Sequence, residues 1–125
     1  MRVFVSKWFT RFARSEGIGD DRLCEAIQLA QRGLIDADLR RGLIKQRVAR
    51  PAPARVVAAA SAFWSPTARA SAPVFLYGFA KSERDNISPQ QLSEWQGRAH
   101  DILGASHDAI ERLVADDELR EVYCD

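Results

Sequence analysis

The spacing of apolar positions changes several times along the chain, and each change marks an element. Arg2–Ser6 (Arg-Val-Phe-Val-Ser) suits a short first strand. Trp8, Phe9, Phe12 and Ala13 then recur at helical spacing, with Lys7, Arg11 and Arg14 on the opposite side. Gly17 and Gly19 end that helix. A second begins near Asp20, whose carboxylate is placed to cap it, and Leu23, Ala26, Ile27 and Ala30 form its buried face before Gly33 stops it. Leu34–Gly42 has no period and reads as an irregular connection. Leu43–Arg50 alternates imperfectly, as a strand with Lys45 and Arg47 on one face and Gln46 and Val48 on the other. The two cations stand about 7 Å apart by the two-residue strand repeat. Val74–Tyr77 is a β-prone apolar run suited to a buried strand, after which Gly78 loosens the backbone and Lys81 and Arg84 follow.

The last third has the clearest boundaries. Ser88-Pro89-Gln90-Gln91 combines a capping Ser, Pro at the first helical position and Gln at the third, a strong helix start. Leu92, Trp95, Ala99 and Ile102 form its apolar face, and Gly104 ends it. Ser106 caps a further helix with Ile110, Leu113 and Val114 inward, and Glu118–Cys124 reads as a closing strand. These elements predict one domain over residues 1–125, of α+β class: a small antiparallel sheet with N-terminal helices packed on it and a C-terminal helical segment.

Composition alters this picture mainly through the order of its charges. The totals nearly balance, 18 Lys+Arg against 17 Asp+Glu. Yet no acid falls between Asp38 and Glu83, a stretch holding Arg40, Arg41, Lys45, Arg47, Arg50, Arg55, Arg69 and Lys81, whereas from Glu83 onward acids face only four arginines. A basic middle beside an acidic end fits a polyanion-binding face; plain solvated charge is the simpler alternative. Lys45 and Arg47 are likewise either a grip on neighbouring phosphates or a solvated strand face. Cys24 and Cys124 lie far apart without metal-like spacing, so neither a disulfide scaffold nor a zinc site is indicated, and Cys24 reads as core. His100 and His107 fall in the helical C-terminal region, which argues against a histidine acid–base pair. No apolar run approaches membrane-spanning length, and a cytoplasmic protein without metal or cofactor is expected.

The blocks Met1–Phe4, Lys7–Phe9, Phe12–Arg14, Gly42–Pro51 and Val74–Lys81 followed by Glu83–Ile87 resemble, in order and spacing, a RelE/HigB-like toxin of a type II toxin–antitoxin system, in the RelE/ParE superfamily. The resemblance implies a compact α+β fold and metal-independent cleavage of messenger RNA on the ribosome, by attack of a ribose 2′-hydroxyl on the adjacent phosphate. It implies catalytic roles for Lys45, Arg47, Tyr77 and Lys81 in stabilising charge, transferring protons or orienting a base, and RNA contacts for Arg50, Arg55 and Arg84. It further implies a cognate antitoxin, commonly a helix-turn-helix protein, besides messenger RNA and the ribosome as partners, and no membrane. A buried Tyr77 without a catalytic part is the structural alternative.

Ala52–Pro73 departs from the family pattern. A glycine-rich basic loop and a Gly-Gly-aromatic-Arg strand are expected there, whereas this stretch is alanine-rich and holds no glycine. Reverse-translated and read from one base earlier in each codon, Ala62-Phe63-Trp64-Ser65 gives an apolar residue, then Leu, then Val where Ser65 has a TC codon. With GC-rich codons, Ala59–Pro73 then reads as an arginine-bearing strand and turn. A local frame-shift is therefore the expected origin, with natural divergence as the alternative, and the coding DNA separates them. Loss of the family's positioned arginine predicts an impaired ribonuclease. Two other functions stay open: a non-catalytic remnant that binds antitoxin or RNA, and a ParE-like toxin acting on DNA gyrase.

Overall fold

The computed structural model describes residues 2–48, 54–59, 73–80 and 88–124. Their elements are β1 (Arg2–Ser6), α1 (Lys7–Glu16), α2 (Asp20–Gln31), β2 (Ala37–Asp38), β3 (Leu43–Val48), β4 (Ala54–Ala59), β5 (Val74–Ala80), α3 (Pro89–Leu103), α4 (His107–Ala115) and β6 (Leu119–Tyr123). The six strands form one sheet in the order β2-β3-β4-β5-β1-β6. The α+β class holds, with one correction: β1 lies parallel to β5, so the sheet is mixed rather than antiparallel. The chain leaves β1 through two helices and returns to its flank only at β5, after the β2–β4 meander has been laid down.

Helices cover both faces. On one face Phe9 and Ala13 of α1 and Leu23, Ala26 and Ile27 of α2 pack on Val3, Val5, Ile44, Val48, Val56 and Phe75. On the other, Trp95 and Ala99 of α3 close over Phe4, Leu43, Val57, Val74, Leu76 and Phe79, with Ile110, Leu113 and Val114 of α4 at the margin. The C-terminal helices are thus a third layer. Strand alternation sorts the side chains: Ile44, Gln46 and Val48 of β3 turn toward α1 and α2, and Gln46 donates to the carbonyls of Ala26 and Leu34 at 3.1 and 2.7 Å.

The helix boundaries follow local chemistry. Ser6 caps α1, its Oγ accepting from the Phe9 amide at 3.1 Å while donating to the Leu76 carbonyl at 2.9 Å; one hydroxyl thereby ties α1 to β5. Gly17 closes α1 at φ 69°, in the left-handed region. Ser88 and Gln91 form a reciprocal capping box with Pro89 at the helix start, and Ser106 caps α4. Asp20 differs from expectation. The cap of α2 is Gly19, without a side-chain hydrogen bond, and the Asp20 carboxylate instead takes both guanidinium nitrogens of Arg120 at 3.0 and 3.1 Å.

Two further expectations are corrected. Leu34–Gly42 is not wholly irregular, because Ala37 and Asp38 pair with Lys45 and Ile44 as the first arm of a hairpin. Cys24 and Cys124 are joined by a disulfide, with Cα atoms 5.5 Å apart across a sequence separation of 100 residues. Their distance in sequence concealed that α2 and the end of β6 are neighbours in space. At the same end of β6, where Arg2 pairs with Tyr123, the Arg2 guanidinium reaches Glu121 of β6 and Glu111 of α4, each at 2.7 Å. Hydrogen bonding to that guanidinium lowers the Glu121 carboxyl below the usual carboxylate range. Among the described residues no helix is long and apolar enough to cross a membrane.

Candidate RNA-binding face

The site is built on β3, β4 and β5, whose register sets two neighbouring rows. Arg47 pairs with Arg55 and Arg55 with Phe79; Lys45 pairs with Val57 and Val57 with Tyr77. Directly opposed residues in a sheet share a face. Lys45, Arg47, Arg55 and Tyr77 therefore share the face that carries α3.

A bulge in β5 brings Tyr77 to this face. Val57 is opposite Tyr77 but Ala58 is opposite Phe75, which leaves Leu76 as an extra residue on β5. Leu76 and Tyr77 consequently both turn toward α3, where both join the cluster around Trp95. The Tyr77 ring stacks on Trp95 at 5.3 Å and 27° and lies 6.2 Å from Phe79. Gly78 then faces α1. A Cβ there would lie 2.3 Å from two ring carbons of Phe12, so this glycine makes room for a helix and does not loosen the strand, contrary to the sequence reading.

The cations differ in setting. Arg47 is exposed, and its guanidinium has no hydrogen bond or ion pair among the described residues. Arg55 is 8% exposed. Its guanidinium spans β3, placing Nε 3.1 Å from Oδ2 of Asp36 just before β2. The Lys45 ammonium lies 3.7 Å from that same oxygen. Asp36 is exposed along its backbone, but its side chain is drawn in to 26% exposure by these contacts. One carboxylate thus holds two of the four cationic and aromatic candidates described.

The hairpin fixes Asp36 in place. The Asp36 amide donates to the Lys45 carbonyl at 3.0 Å, continuing the Ala37–Lys45 pairing. Its turn is tight: Arg40, Arg41 and Gly42 have φ of 70°, 56° and 81°. Two non-glycine residues in the left-handed region cost about 1–2 kcal/mol each. Asp38 offsets part of this by accepting from the Arg40 amide at 2.8 Å. On the α3 side, Gln96 donates to the Leu39 carbonyl at 2.8 Å and clamps the turn to the helix.

Sequence reasoning placed Lys45 and Arg47 on one strand face, and the alternation of β3 does so. It gave Arg55 no definite place, whereas the β3–β4 register sets it beside Arg47. Asp36 was missed altogether; its only sequence signal is that it stands just before the acid-free stretch. Arg50, Lys81 and Arg84, together with residues 60–72 of the stretch expected to be frame-shifted, lie outside the described residues. His107 sits near Glu111 at 3.8 Å on α4, away from this face. No grouping of His, Cys, Asp and Glu able to hold a metal occurs among the described residues.

Such a face can meet the phosphate of a single strand at the exposed Arg47, with the charge of Lys45 and Arg55 behind it and Tyr77 as a rigid aromatic wall beside them. Fold and face together define a small α+β protein with a cationic sheet surface. The family model described as the RelE toxin of the RelE/RelB toxin–antitoxin system matches residues 1–122, and the chain belongs to that family. It is thus a toxin of a toxin–antitoxin system, for which the family implies a cognate antitoxin. No curated protein and no solved structure matches the chain.

Proposed function

We propose that this toxin is a metal-independent messenger-RNA endoribonuclease acting in the ribosomal A site. The observation that supports it best is the clustering of Lys45, Arg47, Arg55 and Tyr77 on one sheet face. In the proposed step a ribose 2′-hydroxyl loses its proton to a base and attacks the adjacent phosphorus. The bond to the 5′ oxygen breaks, leaving a 2′,3′-cyclic phosphate, and the departing oxygen takes up a proton. Arg47 and Arg55 hold the phosphate as charge grows on it, Lys45 and Lys81 stabilise that charge or transfer a proton, and Tyr77 orients the base. Arg50 and Arg84 contact the RNA backbone.

Cleavage is expected to be weak, because Ala52–Pro73 lacks the glycine-flanked arginine that the family presents to the scissile phosphate. The antitoxin, of helix-turn-helix type, silences the toxin by laying an acidic or apolar segment over the basic face. The protein works in the cytoplasm beside ribosomes, where thiols are normally kept reduced; the Cys24–Cys124 bond is then a feature of its oxidised form.

One observation favours a second reading, a toxin remnant that binds antitoxin or RNA without cutting: Asp36 already engages both Lys45 and Arg55 and offsets one of their two positive charges. Expression in the absence of antitoxin separates the two. Growth arrest that a Lys45→Ala substitution relieves is the expected result. Arrest that persists in that variant contradicts the enzymatic reading and favours binding or gyrase poisoning.

A further inference from the structure

We infer that Asp36 is a positioning residue of this site: its carboxylate holds the Arg55 guanidinium and the Lys45 ammonium in the arrangement that meets the scissile phosphate. The inference rests on the endoribonuclease reading and adds to it a residue that touches neither substrate nor reacting atoms.

The geometry carries it. One oxygen, Asp36 Oδ2, meets both Arg55 Nε at 3.1 Å and Lys45 Nζ at 3.7 Å. A long guanidinium directed across a strand needs such an anchor, because its free side chain samples many rotamers. The pair is also well screened from water, with the Arg55 side chain 10% and the Lys45 side chain 15% exposed, unlike the outlying ion pairs of the sheet margin. The carboxylate itself is held on a backbone that cannot easily yield. Its amide is bonded to Lys45, and the turn that follows is locked by Asp38, Gln96 and three consecutive left-handed residues.

An anion beside two phosphate-binding cations has opposite effects on the two stages of the reaction. It opposes the approach of RNA, since a negative charge stands next to the phosphate. It also keeps the cations preorganised, so that no rearrangement is needed as charge develops. Removing the charge therefore strengthens binding while weakening the chemical step. A residue that merely stabilised the fold would produce no such split.

The test compares wild type with Asp36→Asn in two assays, with thermal unfolding of both as a check on folding. In the first, a fluorescent single-stranded RNA oligonucleotide is titrated across a range of salt concentrations. Asp36→Asn is expected to bind about threefold tighter or more at low salt, from the loss of one nearby like charge. Its log-log salt slope should steepen by about 0.7 for each cation released to a phosphate. In the second, cleavage of messenger RNA on programmed ribosomes is followed at steady state with the ribosome complex in excess over toxin. There kcat should fall by roughly tenfold to a hundredfold, the scale of a misplaced catalytic group, with KM unchanged or lower. Asp36→Ala, tested alongside, should show the same split if the asparagine variant folds poorly. Binding that is unchanged or weaker, or a kcat that rises, overturns the inference; the latter would mean that Asp36 blocks the site instead of ordering it. Wild type that binds RNA but never cleaves it overturns the endoribonuclease reading instead, and the binding arm still decides whether Asp36 restrains the two cations.

Discussion

A methyl group added at position 78 would lie 2.3 Å from two ring carbons of Phe12, far inside contact distance. Gly78→Ala is therefore expected to destabilise the protein by about 1–3 kcal/mol, the usual range for overpacking a filled interior. Chemical denaturation measures it, and the further change Phe12→Leu should recover part of the loss; an unchanged midpoint in Gly78→Ala would contradict the packing described. This residue also shows where single-residue reading stops. A glycine after an apolar run looks like a break, and only the bulge at Leu76 reveals that position 78 faces α1. Lys45 and Arg47 were legible because strand alternation is local. Asp36 and its meeting with Arg55 were not, since that meeting depends on β2 and β4 flanking β3 in one register.

Among the elements, α2 and β6 are joined by the Cys24–Cys124 bond, which closes a loop with a sequence separation of 100 residues. Cross-linking so long a loop restricts the unfolded chain strongly, by up to about 4.7 kcal/mol in the chain-entropy model. Reduction, or Cys24→Ser, should lower the free energy of unfolding toward that extent, read as a shift in the denaturation midpoint under oxidising and reducing conditions. Identical midpoints would show that the bond adds nothing. Helix starts at Ser88 and Ser106 were readable because capping is a matter of neighbouring residues. The disulfide and the parallel β1–β5 pair were not readable, because each is made by segments that meet only after the sheet closes.

Over the whole molecule, the segregation of charge along the chain becomes a segregation in space. The acid-free stretch supplies β3, β4 and β5, and with them Lys45, Arg47 and Arg55 on the α3 face. At the far edge, acids of α4 and β6 are used in pairing: Glu111 and Glu121 with Arg2, and Glu118 with Lys7 at 3.1 Å. A chain with nearly balanced charge thus gathers Lys45, Arg47 and Arg55 on one sheet face, while Glu111, Glu118 and Glu121 tie the last elements to β1 and α1. The family match extends over residues 1–122 and so includes these terminal elements.

Whether this face cuts messenger RNA is decided by primer extension on purified ribosomes carrying a defined codon in the A site. Wild type should give a cleavage stop within the A-site codon, slowly if Ala52–Pro73 has cost the enzyme its family arginine. Lys45→Ala should reduce the rate by about 10²–10³-fold, the loss typical of one group that stabilises transition-state charge. No cleavage by wild type, or equal cleavage by wild type and Lys45→Ala, would rule out an endoribonuclease built on this face.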